Sequence, residues 1–103
     1  MKTFVKKRID IVIEAPAVNR VLAKLDELGV LGYTVVPAIG GRGHEGSWNR
    51  DATVGDTGRM VLIFSIVDSV RVDPVLDAIF KLVERQIGIV TISDVEVVRP
   101  DHF

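Results

Sequence analysis

Gly40-Gly41-Arg42-Gly43 is the stretch of this 103-residue chain best suited to chemistry. Glycines let backbone N–H groups close on an anion, and an arginine among them adds a fixed positive charge and a fork of donors. The stretch reads as a phosphate cradle; the plain alternative is a flexible hairpin entry. No Gly-Lys-Ser/Thr follows, so it is not a Walker A loop. No helix opens after it, so it is not a dinucleotide fingerprint. His44, Glu45, Trp48, Arg50 and Asp51 come next. Arg50 is a second candidate phosphate donor. Trp48 has no apolar neighbours and reads as an exposed anchor for a partner or a ligand lid. Adjacent residues such as His44 and Glu45 seldom converge on one ion, and His102 is the only other histidine, so no metal site is expected.

Other chemistries find no residues to carry them. The chain has no cysteine, which excludes a disulfide scaffold, a thiolate zinc site, an Fe–S cluster and a Cys nucleophile. No serine sits in a nucleophile elbow, and paired-carboxylate and Ser-His-Asp patterns are missing. No catalytic residue is therefore expected, and the chain is not read as an enzyme. Thirteen basic residues against fourteen acidic leave a net charge of -1, without the electrostatic footprint of a nucleic-acid binder. The aromatic pattern of RNA-recognition motifs is missing too. The N-terminus has charge but no long apolar core, and the longest apolar run, Met60 to Phe64, is too short to span a bilayer. A soluble, cytoplasmic protein is expected.

The elements that would position the glycine-arginine stretch follow from periodicity. Lys7 to Glu14 alternates Ile9, Ile11 and Ile13 against Arg8, Asp10, Val12 and Glu14, the period of a half-buried strand ended by Pro16. Ala17 to Leu28 places Val18, Val21, Leu22, Leu25 and Leu28 on one helical stripe, and Gly29 closes it. Tyr33 to Ile39 is strand-like, with Pro37 marking an edge position or the strand's end. Residues 40–58 hold six of the nine glycines and show no periodic pattern, a long loop of the kind that is usually functional. Arg59 to Val67 is the strongest strand. Asp73 reads as an N-cap with Pro74 at the first helical position, and the helix runs to about Gln86, where Gly88 stops it. Ile89 to Val98 is a last strand.

The order β-α-β-β-α-β predicts an α+β fold over a single domain, 1–103. It is the ferredoxin-like sandwich: a four-stranded antiparallel sheet with two helices on one face. Such a sheet leaves one face bare, which in a monomer should be polar. Yet Met60, Leu62, Phe64 and Ile66 alternate with Val61, Ile63 and Val67, so the third strand is apolar on both sides. A patch of that kind implies a homo-oligomer that buries it.

Gly32-Tyr33-Thr34-Val35 followed by Gly40-Gly41-Arg42-Gly43 resembles the PII signal-transduction superfamily, in which G-x-T-V leads the second strand into a glycine-rich "T-loop". The likeness runs through the whole chain, including the tail from Glu96 to Phe103. Residues 40–58 would be the T-loop-like segment. The resemblance implies a homotrimer with nucleotides in the clefts between subunits. Thr34 and Gly40 match positions near the base and ribose, and Ser65 lies where the third strand offers polar contacts to adenine. Gly41, Arg42 and Gly43 would approach phosphate, with Arg50 reaching in. Gly88 matches the one glycine retained from the loop that wraps the triphosphate, and Arg99 lies near the family's last-strand arginines.

The chain departs from nitrogen-sensing PII proteins at three points. Residues 40–58 have no tyrosine to be uridylylated, the only glutamine is Gln86, and 84–88 carry one glycine and no lysine. These differences argue against 2-oxoglutarate sensing and tight ATP binding. The better resemblance is to divergent PII-like proteins associated with bicarbonate transporters and carboxysomes. Their ligands imply ADP, AMP or cyclic AMP here, with ATP and bicarbonate as further candidates. The implied partner is a membrane transporter or carboxysome-related protein contacted through residues 40–58. Two other readings compete: a trimeric ferredoxin-like metal-binding or stress protein, and a small enzyme using the Gly-Arg loop with Glu45, Asp51 or Asp56 as base.

Overall fold

The strand β1, Phe4–Glu14, sets the frame of the computed structural model, which describes residues 1–43, 46–49 (by their backbone) and 59–102. Alternation turns Ile9, Ile11 and Ile13 to one side, where each is at most 2% exposed. Arg8, Asp10, Val12 and Glu14 take the other side and are half-buried. β1 is paired along both edges. One partner is β5, Met60–Val67, and the other is β6, Gly88–Val97, each antiparallel. β2, Thr34–Pro37, adds antiparallel to the far edge of β5, giving the order β2-β5-β1-β6. This is the ferredoxin-like arrangement that the element order predicts. Pro37 both lies in an edge strand and ends it, where its missing N–H is harmless.

Two helices lie over the isoleucine face. α1, Val18–Glu27, contributes the buried Val21 and Leu25; α2, Val72–Val83, contributes Val72, Val75, Ile79 and Val83. These close on Ile9, Ile11, Ile13, Val61, Ile63 and Val67 in one core. Each fully buried aliphatic side chain contributes about 1.5–3 kcal/mol. α1 ends as its sequence predicts. Gly29 has φ +78°, its N–H donates to the Asp26 carbonyl, and the Val30 N–H donates to the Leu25 carbonyl, both at 3.0 Å. That pair of bonds is a Schellman turn, and Leu25 and Val30 are both buried in the core.

Several boundaries differ from the sequence reading. A 3-10 turn at Ala15–Ala17 takes up Pro16, so α1 begins at Val18 rather than Ala17. A second such turn, Ser69–Arg71, starts the winding early, so α2 begins at Val72. Asp73 is therefore inside the first turn and not an N-cap, where its charge still suits the helix dipole. Pro74 is at the third position, not the first, but its N–H is still one that the helix would leave unused. α2 ends at Val83, short of Gln86, and the Gln86 N–H folds back to the Val83 carbonyl at 2.9 Å. Gly88 does not stop the helix: it is the first residue of β6 and pairs with Ile13.

The largest difference lies in 40–58. Its start is a two-stranded ribbon, β3 Gly40–Gly43 against β4 Gly46–Asn49, with Gly40 opposite Asn49 and Gly43 opposite Gly46. Backbone pairing needs no side chains, so a run of glycines can form a strand that leaves no hydrophobic alternation to read.

The helix-free face of the sheet carries Met60, Leu62, Phe64 and Ile66, with Val36, Val12 and Ile89 beside them in register. Ile89 is 59% exposed and Val36 39%. On this face the Arg8 guanidinium lies 4.2 Å from the centre of the Phe64 ring and pairs with Asp10 at 2.9 Å. β5 is thus apolar on both sides apart from Ser65, which is buried under the helices.

The core account is tested at Ile79, whose side chain is wholly buried. Ile79→Ala is expected to lower the unfolding free energy by about 2–5 kcal/mol in urea denaturation. A loss below 1 kcal/mol would mean that α2 is not seated on the sheet as described.

Candidate functional site

One end of the sheet gathers the finish of β1 and β2 with the start of β5 and β6. The β3–β4 ribbon leaves from this end, and a cavity of about 690 Å3 opens there. Its wall brings together five of the predicted site residues: Gly40, Gly41, Arg42, Gly43 and Gly88. Val12, Met60 and Ile89 supply an apolar side. Arg42 is the one charged side chain on this wall among the described residues.

The glycines of β3 are extended. None of Gly40, Gly41 and Gly43 has a positive φ. The stretch read as a phosphate cradle is therefore a strand and not a left-handed nest. In a two-stranded ribbon alternate residues turn their N–H groups away from the partner strand, so β3 retains donors on its outer edge. Around a β-carbon built at Gly43 there is open space. Gly88 is different. A β-carbon there would lie 2.7 Å from the Val12 carbonyl oxygen and 3.4 Å from the Ile13 Cα. Close approach of β6 to β1 is what requires glycine at this position.

Thr34 and Ser65 lie elsewhere, on a second and shallower cavity of about 260 Å3 with Gly32, Tyr33, Phe64 and Ile66. The Ser65 hydroxyl donates to the Gly32 carbonyl at 2.6 Å, which fixes the backbone just before Thr34. A third cavity, about 500 Å3, joins Gly29–Gly32 to Asp68, Arg71 and His102. The Arg71 guanidinium donates to the Leu28 carbonyl, which the end of α1 leaves unpaired. Arg99 is tied to this end through the tail, its Nη2 donating to the His102 carbonyl at 3.4 Å. Arg50 lies outside the described residues, as do His44, Glu45 and Asp51. Trp48 sits in β4 opposite Gly41.

Gln86 was not singled out by sequence as a site residue, yet it lines the large cavity with Arg42. The available signal was its place two residues before Gly88, itself a predicted site residue.

Residues 6–102 match the family of nitrogen regulatory protein P-II. The chain belongs to that family. CPII from Thiomonas intermedia, a nitrogen regulatory PII-like protein, has been solved bound to ADP, AMP and bicarbonate. It is 27% identical to this chain, with a TM-score of 0.85 over 96% of this chain and 93% of that one. A second CPII structure, bound to ADP and bicarbonate, is 28% identical with a TM-score of 0.83, covering 96% and 94%. A PII-like protein from Thermus thermophilus is 25% identical with a TM-score of 0.74, covering 95% and 94%. No curated protein matches the chain. The likeness to PII-like proteins read from Gly32–Val35 and Gly40–Gly43 is thus correct, and the match extends through both halves of the sheet.

The close approach at Gly88 gives a direct test. Gly88→Ala forces β6 away from Val12 and is expected to lower stability by about 1–3 kcal/mol in urea denaturation. Amide exchange at the Ile13–Gly88 end of the sheet should quicken more than at the Phe4–Val97 end. Unchanged stability and exchange would mean that β6 does not approach β1 this closely.

Proposed function

We propose that this chain is a PII-like regulator that binds adenine nucleotides in clefts between three copies of itself and signals through residues 40–58. One observation carries the reading: in a chain of the P-II family, Gly40, Gly41, Arg42, Gly43 and Gly88 converge on one cavity at the root of that segment. Related CPII structures hold ADP, AMP and bicarbonate. ADP, AMP and cyclic AMP are the ligands proposed here, with ATP a weaker candidate and bicarbonate a co-ligand.

Two features support a trimer. The helix-free face is apolar along β5, and burying it removes Met60, Leu62 and Phe64 from water. The proposed site residues also fall into separate groups. Thr34, Ser65 and Arg99 are away from the cavity that holds Gly40–Gly43, so one protomer cannot bring all of them to one nucleotide. In the proposed cleft, one copy supplies the ribbon, Gly88 and Arg42 for phosphate. Its neighbour supplies Thr34 near the base and Arg99 from the tail, while the buried Ser65 acts from behind by fixing the Gly32 backbone just before Thr34. Arg50 is kept as a second phosphate donor from the 40–58 segment.

The proposed mechanism is a shift of populations and not a reaction. A nucleotide held at the root of the ribbon favours those arrangements of 40–58 that leave the cavity filled. A partner reads the arrangement. Two nucleotides signal differently only if they stabilise different arrangements. The proposed partner is a transporter or carboxysome-related protein of inorganic-carbon metabolism. No helix among the described residues is long and apolar enough to cross a membrane.

Calorimetric titration with AMP, ADP, ATP and cyclic AMP, with and without bicarbonate, tests the ligand. Arg42→Ala should weaken nucleotide binding roughly ten- to a hundred-fold, the loss of one charge-assisted hydrogen bond of about 1.5–3 kcal/mol. Assembly should survive, because Arg42 is off the apolar face. Sedimentation equilibrium should give three times 11.3 kDa for parent and variant alike. Unchanged affinity in the variant would return Gly40–Gly43 to a plain hairpin entry, and a stable monomer would remove the cleft.

A further inference from the structure

We infer that Arg8 and Asp10 make the contact between copies of this chain selective: the guanidinium of one copy pairs with the carboxylate of the next, so that only copies bringing both charges in the same order close a trimer. The inference rests on the trimer reading above and adds the groups that decide which chains join and in what register.

The pair stands out against its surroundings. On the helix-free face Arg8 is opposite Ile66 of β5, and Asp10 is opposite Phe64. On the β6 side their partners are Ser93 and Thr91. Two half-buried charges are thus set at the border of an apolar strip. Arg8 is held there by two kinds of contact. Its Nε donates to both Asp10 oxygens, at 3.0 and 3.1 Å, and its Nη2 lies 2.9 Å from one of them. The Phe64 ring, 4.2 Å away, supports the guanidinium from the side of β5. A long side chain restrained in this way is aimed before any second copy arrives.

Part of the pair's bonding capacity is left over. Among the described residues Nη1 has no partner, and the Asp10 carboxylate accepts from Arg8 alone. A guanidinium has five N–H donors and a carboxylate about four acceptor sites, so both can take a further partner. Water fills that need while the face is open. When another copy covers the face the water is lost, and a charge left short of partners is costly. A second copy supplies the remedy, because it presents the same donor beside the same acceptor, two positions apart on one side of β1. Met60, Leu62 and Ile66 accept any apolar surface in any register, so they contribute adhesion without selection. The charges contribute the selection: a slipped copy, or a different chain without the pair, covers Arg8 and offers it no acceptor.

Charge reversal tests this. The double variant Arg8→Asp with Asp10→Arg keeps a pair in each protomer but inverts its order, and sedimentation equilibrium should give a trimer for it alone. Refolded together with isotope-labelled parent and weighed by native mass spectrometry, mixed trimers should fall about tenfold below their statistical share, because like charges then meet across the contact. A second test does not depend on that variant folding. Arg8→Met and Asp10→Leu, made separately, each leave one covered charge unpaired, and each alone should need about a hundredfold more protein to assemble. An equimolar mixture of the two should recover about tenfold of that loss, since one supplies the guanidinium and the other the carboxylate. Circular dichroism checks that each variant is folded. A trimeric parent that mixes statistically with the reversed variant overturns the role of the pair alone. Losses in both single variants that mixing does not recover confine the pair to its own protomer and overturn that role as well. A monomeric parent overturns this inference and the trimer reading together.

Discussion

β1 is the strand that everything else in the molecule is built against. It is paired along both edges, and its side chains alternate between a fully buried face and a half-buried one. Shifting its register by one residue would send Ile9, Ile11 and Ile13 to the bare side and Arg8, Asp10 and Glu14 under the helices, where unpaired charge is costly. That penalty fixes β5 and β6 relative to one another, although they are not paired with each other. It also fixes the place where their first residues meet, and so the cavity at the root of the glycine ribbon. The distance of β6 from Val12 is part of the same constraint, with Gly88 as its closest point.

The elements with side chains to bury were legible. Ile9, Ile11 and Ile13 mark a strand and Val21 with Leu25 a helix because periodicity records which face meets the core. The doubly apolar Met60–Val67 was legible for the same reason. The β3–β4 ribbon was not, since glycine records no face. The role of Gly88 was not either. A glycine after a helix reads as a stop, and its actual cause, the Val12 carbonyl, is 76 positions away in the chain, from 88 back to 12. The start of α2 was misplaced because Asp73-Pro74 is a strong local signal, and the turn Ser69–Arg71 that precedes it has none.

The candidate site was legible in part. Gly40–Gly43 and Gly88 do share a cavity, although they are far apart in sequence. Thr34 is only six residues before Gly40, but it opens β2 while Gly40 opens β3 beyond the end of that strand, and the two line different cavities of one protomer. Gln86 had no pattern to reveal it, because a polar residue in a turn is ordinary until the turn is seen to face a cavity.

The interleaved strand order also bears on how the chain becomes folded. Within the first half, β1 and β2 are separated by β5; within the second, β5 and β6 are separated by β1. Neither β-α-β half can close a sheet by itself, since the partner of each strand is in the other half. The pairing of Phe4 with Val97 spans almost the whole polypeptide. On a ribosome, the isoleucines of β1 are made early and stay uncovered until the strands from the second half emerge. Folding dominated by such distant pairings is slow for its size. The nascent chain spends that interval with an apolar strand exposed, the condition under which a chaperone has most to hold.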